Sequence, residues 1–358
     1  MQELDSCINL LCDLIKTPSF SNEEDASATI WENWLREKGV NGVKRFHNNI
    51  YAVSESFDSS RPTLLLNSHH DTVKPVDSYT RDPFDPEIVN GRLYGLGSND
   101  AGASGVALAH TFIKLQGSKT LPVNLVLAIT ASEEKMGEYG MRAFLPFLIS
   151  TGIVPDMAIV GEPTSLQPAI AERGLVVLDG HVEGRAGHAA RNEGENAIYR
   201  AIEDISILKD FKAPRESDIL GPVKVSVTMI NAGKQHNIVP DVCDYVVDVR
   251  ATDAYSNEET VDLLQKAVKW SVLTPRSTRI QASVIPPSHP LVKAAEALGK
   301  TPFVSSTTSD MALMHGLPSL KIGPGDSARS HTADEYVGID EIAEALDIYR
   351  RLILSLNK

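Results

Sequence analysis

Glu133 and Glu134 stand side by side just beyond an apolar run, 124–130, that reads as a buried strand. Two charges delivered to the end of such a strand cost several kcal/mol, roughly, unless a cation or a reaction uses them. Side chains of the same chemistry recur at matching places. His69 and Asp71 close a second apolar run at 63–67, and Asp100 sits in the loop Gly95-Leu96-Gly97-Ser98-Asn99-Asp100. Glu162 follows a third run, and His331 follows the turn Gly323-Pro324-Gly325. Carboxylates and imidazoles are the donors that a pair of divalent ions, roughly 3.5–4 Å apart, requires, with at least one carboxylate bridging. Asp100 is the natural bridge, because the glycines beside it let the backbone come close to an ion. Asp71, two residues from His69, can accept the second imidazole N–H and fix its tautomer. His70 points to the opposite face if the strand continues, which sets it apart from the ligands.

Taken singly, each residue has a plainer reading. Glu133-Glu134 could be the solvated first turn of a helix, where acids favour the N-terminal dipole. A histidine at a strand end is more often a satisfied loop residue, and Glu162-Pro163-Thr164 could be an ordinary turn. The coincidence of all of them, in an order that completes two ligand sets, is what points to a two-metal centre.

The elements that must position these groups alternate between helix and strand over the first ~170 residues, as in an α/β domain. Apolar spacing predicts helices over 4–16 and 23–38, strands over 49–54, 62–68, 124–131 and 157–161, and a helix of small residues over 106–115. In open α/β sheets, sites lie beyond the carboxyl ends of the strands, which is where His69, Glu133, Glu134 and Glu162 fall. From about residue 173 the order changes to strand 174–182, helix 195–212, strands 223–231 and 244–252, a helix from Ser256 to about residue 270, and a last strand at 279–285. Glu259 stands in capping-box register with Ser256. This βαββαβ order is the split layout of ferredoxin-like domains. Pro286-Pro287 then precede a helix over 290–298, short strands at 303–306 and 319–322, and a final helix over 339–355. The expected fold is α/β, a catalytic α/β/α domain with a mixed sheet (1–172 and 287–358), interrupted by a small α+β domain (173–286).

With 358 residues the chain is comfortable for two domains. Its net charge of −13, from 34 basic and 47 acidic residues, argues against a nucleic-acid groove or an anionic membrane surface. No apolar stretch reaches the ~18 residues of a membrane span, and the N-terminus does not read as a signal peptide. The isolated cysteines Cys7, Cys12 and Cys243 suit a reducing cytosol, and a cytoplasmic location is expected.

The motifs together resemble the dinuclear zinc aminoacyl-hydrolases, a metallopeptidase family that includes acetylornithine deacetylase, succinyl-diaminopimelate desuccinylase and glutamate carboxypeptidase. The matching segments are 68–75 (His-x-Asp-x-Val-x-Pro), 95–100, Ser132-Glu133-Glu134, 161–164 and 330–335, and the likeness runs from end to end. It implies one ion held by His69, Glu162 and a bridging Asp100, and a second held by Asp100, Glu134 and His331. Glu133 would be the general base that deprotonates an attacking water and passes the proton to the leaving amine. Zinc is the expected metal, with cobalt or manganese accepting similar ligands. The inserted domain would mediate a homodimer, and His188, in Gly184-Arg185-Ala186-Gly187-His188, would reach the partner's active site to stabilise the oxyanion. Asn237 and Arg250 match segments that line a substrate carboxylate pocket, although Arg250 could equally be a structural ion pair. Arg173 could clamp the carboxylate through its planar fork, with Thr308 and Gly325 on the other wall. The chain departs from the family after the bridging Asp, where Ala101-Gly102-Ala103-Ser104 replaces a frequent lysine.

The resemblance therefore implies a deacylase of an N-acyl-L-amino acid, with N-acetyl- or N-succinyl-ornithine or -citrulline first and arginine biosynthesis as the setting. Succinyl-diaminopimelate desuccinylase, acetyl-lysine deacetylase and dipeptidase are the alternatives within the class. A metal-binding relative without catalysis is the alternative outside it. A dinucleotide-dependent oxidoreductase is disfavoured, because Gly95-Leu96-Gly97 lacks a third glycine in register.

Overall fold

The computed structural model describes residues 2–191 and 193–356. The chain forms two compact units: 1–170, 285–303 and 309–358 make the first, and 171–284 with the short return 304–308 make the second.

The first unit is built on a mixed sheet whose strands run in the order Lys44–Phe46, Asn49–Val53, Asn124–Thr130, Thr63–His69, Met157–Val160 and Ser319–Lys321. Thr63–His69, Asn124–Thr130, Met157–Val160 and Ser319–Lys321 are mutually parallel neighbours, while Asn49–Val53 runs against them. Parallel strands covered on both faces read as continuous apolar runs rather than alternating ones. Every residue of Thr63–His69 and of Asn124–Thr130 is buried. The register pairs His69 with Thr130 and Asn67 with Val160, so the carboxyl ends of these strands open on one edge. The helix Ala103–Leu115 lies against this sheet and is itself covered by Gln2–Ile15 and Ile339–Ser355. Its small residues permit close packing: an added Cβ at Gly105 would stand 3.3 Å from the ring of Trp31, which the helix Asp25–Glu37 carries. On the other face Phe144, Leu148 and Met141, from the helix Met141–Ser150, pack on Tyr51, Leu65, Val126 and Ala158.

The second unit is a four-stranded antiparallel sheet in the order Lys224–Ala232, Val242–Ala251, Gly174–Glu183, Val272–Pro275, with helices Ala197–Lys209 and Asn257–Ala267. Taken in chain order, the strands occupy the positions of a ferredoxin-like βαββαβ fold. Gly174–Glu183 alternates in burial, placing Val176, Leu178 and Val182 in a core with Tyr245, Val247, Val249, Ala201 and Leu264. The capping box of Ser256 and Glu259 is present.

The last strand of this unit departs from the expectation of 279–285. The helix stops at Ala267 instead of near residue 270 because the buried Asp204 carboxylate takes the N–H groups of Lys269, Trp270 and Ser271 (2.8, 3.0 and 2.7 Å). That turn releases Val272–Pro275 to pair with Gly174–Glu183. Of the expected segment, Ile280 makes a single antiparallel bridge to Leu175 (its carbonyl accepts from Leu175 N–H at 2.9 Å), and Ser283–Val284 pairs with Ala171 and Glu172.

Leu127 is fully buried at the centre of the strand that leads to Glu133 and Glu134. Leu127→Ala should cost about 2–5 kcal/mol of unfolding free energy, read from the urea midpoint at unchanged m-value.

Candidate two-metal active site

Asp100 joins the two halves of the site. Its Oδ1 lies 3.2 Å from His69 Nε2, and its Oδ2 lies 3.7 Å from His331 Nε2. Beyond His69 stands Glu162, with Oε1 3.7 Å from the same Nε2. Beyond His331 stands Glu134, with Oε2 at 3.0 Å. The donor atoms of His69, Asp100 and Glu162 lie within 4.8 Å of one another, as do those of Asp100, Glu134 and His331. One carboxylate thus faces two ligand sets with its two oxygens, the arrangement a bridged pair of ions needs.

Secondary structure explains the convergence. His69 is the last residue of its strand, while Glu134 and Glu162 come shortly after theirs, at the same sheet edge. Asp100 is carried by one irregular turn, Ser98–Gly102. Glu335 clamps that turn: its carboxylate accepts the N–H groups of Gly97, Asn99 and Asp100, each at 2.9 Å. Asn99 continues the clamp by exchanging hydrogen bonds with the main chain of Asp326 (3.1 and 3.0 Å).

Asp71 is fully buried and does more than orient an imidazole. His69 Nδ1 meets the main-chain carbonyl of Asp71 at 2.9 Å, with the Asp71 carboxylate farther off at 3.6 Å. The carboxylate accepts instead from the N–H groups of Glu133 (2.9 Å) and Glu134 (3.2 Å) and from Ser21 Oγ (2.7 Å). It therefore sets the peptide planes of Glu133 and Glu134. His70 points away from the site, as expected, and is held by Ser27 Oγ and the Asn48 carbonyl, both at 2.9 Å.

The electrostatics ask for positive charge. Burial, with Glu162, Asp310 and Glu134 nearby, holds the Glu133 carboxyl well above the usual range, although His69 opposes it. Glu162 is pushed up to about 8, first by burial and then, against the pull of His69, by Asp100. The imidazole of His69 loses by burial but is held well above its ordinary value by Asp100 and Asp71. Buried carboxylates this close together cannot all ionise without a cation. The donor set of carboxylate oxygens and imidazole nitrogens suits divalent ions of the zinc type.

Residues 65–355 match the sequence profile of peptidase family M20/M25/M40. The chain belongs to that family. It is also 30% identical to the acetylornithine deacetylase of Shigella sonnei (strain Ss046), over 90% of this chain and 91% of that protein. Its fold matches aminopeptidase PepT from Bacillus cereus ATCC 10987 at a TM-score of 0.77 and 17% identity, over 99% of each chain. It also matches the Bacillus subtilis YXEP protein, a dinuclear metal binding peptidase of the M20 family, at 0.74 and 14% identity, over 99% of this chain and 98% of that one. The M20 protein is a metal-dependent amidohydrolase that uses two divalent ions. Among the described residues no helix is long and apolar enough to cross a membrane.

His188, Asn237, Arg250, Arg173 and Thr308 belong to the second unit. His188 and Asn237 are neighbours there, on the ribbon formed by Gly187–His188 and Ile238–Val239, where Ala189 N–H donates to the Asn237 carbonyl at 3.0 Å. Arg250 takes the structural alternative, a two-point pair with Asp248 (2.8 and 3.1 Å). The Arg173 fork donates to the main-chain carbonyls of Pro222 and Leu220. Thr308 is half-buried. Gly325 is buried against Asn99: at its φ of +84° an added Cβ would stand 2.2 Å from Asn99 Oδ1. Two buried acids escaped the sequence reading, Glu335 and Asp310. Glu335 closes the quoted segment 330–335 and Asp310 lies two residues beyond Thr308, yet only the fold reveals what they hold, Asp310 accepting from Thr130 Oγ1 at 2.7 Å.

Three of these groups set a pH dependence. Glu335 is raised to about 8, mainly by burial, like Glu162, and His331 is raised to about 9 by its hydrogen bond to Glu134. A group whose folded pKa exceeds its unfolded value stabilises fully below the unfolded pKa and loses that contribution as pH rises through the folded one. The window runs from 4.5 to about 8 for the two acids and from 6.5 to about 9 for His331. Metal-free protein should therefore lose Tm steadily from about pH 5 to about pH 9. Divalent ions, which bind the deprotonated ligands of the folded state, should raise Tm more at about pH 8 than at about pH 6. Thermal melts with and without chelator check both, and a metal-free Tm that climbs over this interval would contradict the charge balance.

Proposed function

We propose that this protein removes the acyl group from an N-acyl-L-amino acid, with N-acetyl-ornithine as the first substrate, N-succinyl-ornithine and the citrulline analogues next, and arginine biosynthesis in the cytoplasm as its setting. The observation that carries the reading is the single Asp100 carboxylate facing two ligand sets beside the buried Glu133. The 30% identity to a deacetylase, over nearly the whole of both chains, supports the substrate class.

His69, Asp100 and Glu162 would hold one ion and Asp100, Glu134 and His331 the other, with zinc as the metal that suits this mix of imidazole and carboxylate. When bound, the pair supplies Lewis-acid polarisation of the amide carbonyl and lowers the pKa of the attacking water. Glu133 accepts the proton of that water and delivers it to the departing amine nitrogen. A carboxylate buried beside the ligand sets can first take a proton and then give it. The Asp71 carboxylate keeps the Glu133 peptide fixed while the proton moves.

The second unit would make a homodimer, with the partner subunit's His188 stabilising the developing oxyanion. Support comes from the edge strand Lys224–Ala232, which exposes Met229 and Ile230, and from the helix Ala197–Lys209, which exposes Tyr199 and Ile202. An exposed apolar edge of this kind calls for a cover.

The deciding experiment is a hydrolysis panel of acetyl-, succinyl- and formyl-amino acids and dipeptides with zinc-loaded protein. Acetyl-ornithine should give the highest kcat/KM; a preference for dipeptides would replace the substrate assignment. Glu133→Gln should retain two metals per chain yet lose about 10²–10⁴-fold in kcat, the span of a lost acid–base group. Turnover that survives chelation would exclude the metal role.

A further inference from the structure

The segment that carries the proposed base is held by side chains from outside it at four successive peptide N–H groups. Ala131 donates to Asn49 Oδ1 (3.0 Å), Ser132 to Glu24 Oε1 (3.1 Å), Glu133 to Asp71 Oδ1 (2.9 Å) and Glu134 to Asp71 Oδ2 (3.2 Å). Glu24 is the least expected of these. It lies at the start of the helix Asp25–Glu37, outside every motif, and only 1% of it is exposed. Its Oε1 also accepts from Ser132 Oγ (3.0 Å) and Asn22 N–H (2.6 Å), and its Oε2 from Asn48 Nδ2 (3.0 Å). Ser132 sits at φ +56°, in the left-handed region that a residue with a Cβ occupies only when its surroundings hold it there.

We infer that Glu24 is a positioning residue for catalysis: by gripping both the N–H and the hydroxyl of Ser132 it holds that residue in the left-handed conformation, which aims Glu133. If the grip is released, Ser132 can relax toward an ordinary conformation. The peptide between Ser132 and Glu133 then turns, and the hydrogen bond from Glu133 N–H to Asp71 is lost with it. Glu24 touches none of the metal-ligand side chains, so the ions should still bind. The inference rests on the assignment of Glu133 as base.

What matters in this account is the reach of an oxygen to Ser132 rather than the negative charge. Glu24→Gln keeps an acceptor at the right distance, whereas Glu24→Asp keeps the charge but withdraws it by one methylene. In the metal-loaded protein, Glu24→Gln should hold kcat within about fivefold of wild type, while Glu24→Asp and Glu24→Ala should lower it by about 10–100-fold, with KM within about threefold and two metals per chain. Hydrogen exchange of the 131–136 segment, which needs no turnover, should quicken at least about tenfold in Glu24→Asp and Glu24→Ala. Unchanged exchange, a better kcat for Glu24→Asp than for Glu24→Gln, or loss of the folded state in all three variants would each overturn the inference. Glu133→Gln, measured alongside, separates the two ideas: full turnover there would remove the base assignment, while the exchange data would still decide whether Glu24 holds the loop.

Discussion

The site depends on keeping several acids close together in a place with little water. Asp71, Asp100, Glu133, Glu134 and Glu162 lie close together in the first unit, and the two imidazoles of His69 and His331 offset only part of that charge. Such a cluster is unfavourable by itself, because burial and mutual repulsion both resist ionisation. It becomes favourable when cations enter, since the binding free energy of a metal to a preformed set of anionic donors is delivered to the folded state. The arrangement thus trades intrinsic stability for affinity toward cations.

A second use of buried acids runs through the same unit. Asp71, Glu24 and Glu335 direct their oxygens at backbone N–H groups rather than at ions. A carboxylate that accepts two or three N–H bonds fixes the loop that donates them, which a hydrophobic contact cannot do with the same directionality. Glu335 fixes the turn bearing the bridging Asp100, and Asp71 fixes the segment bearing Glu133 and Glu134. Ligands on loops are held this way to the accuracy normally expected of residues on strands and helices.

The second unit follows simpler rules. Alternating burial along Gly174–Glu183 and Val242–Ala251 supplies one apolar face, which the two helices cover. The misplaced last strand shows the limit of reading such a unit by pattern alone. Val272–Pro275 is only four residues long, and what freed it from the preceding helix is a buried carboxylate about 65 residues earlier, at Asp204.

Local signals carried much of the rest. The apolar runs at 63–67, 124–130 and 157–160 identify themselves as buried parallel strands, and acids and a histidine at their ends announce the chemistry, because a strand-end charge is tolerated only where something uses it. The capping box at Ser256 was likewise legible, being a pattern of four neighbouring residues. Tertiary structure alone decided that the two oxygens of Asp100 face opposite ligand sets, that Gly325 packs on Asn99, and that Glu24 reaches a residue more than a hundred positions away. Composition and periodicity report which face of an element is buried. Which oxygen meets which N–H across the fold is settled only when the chain has closed, since those partners share no spacing in sequence.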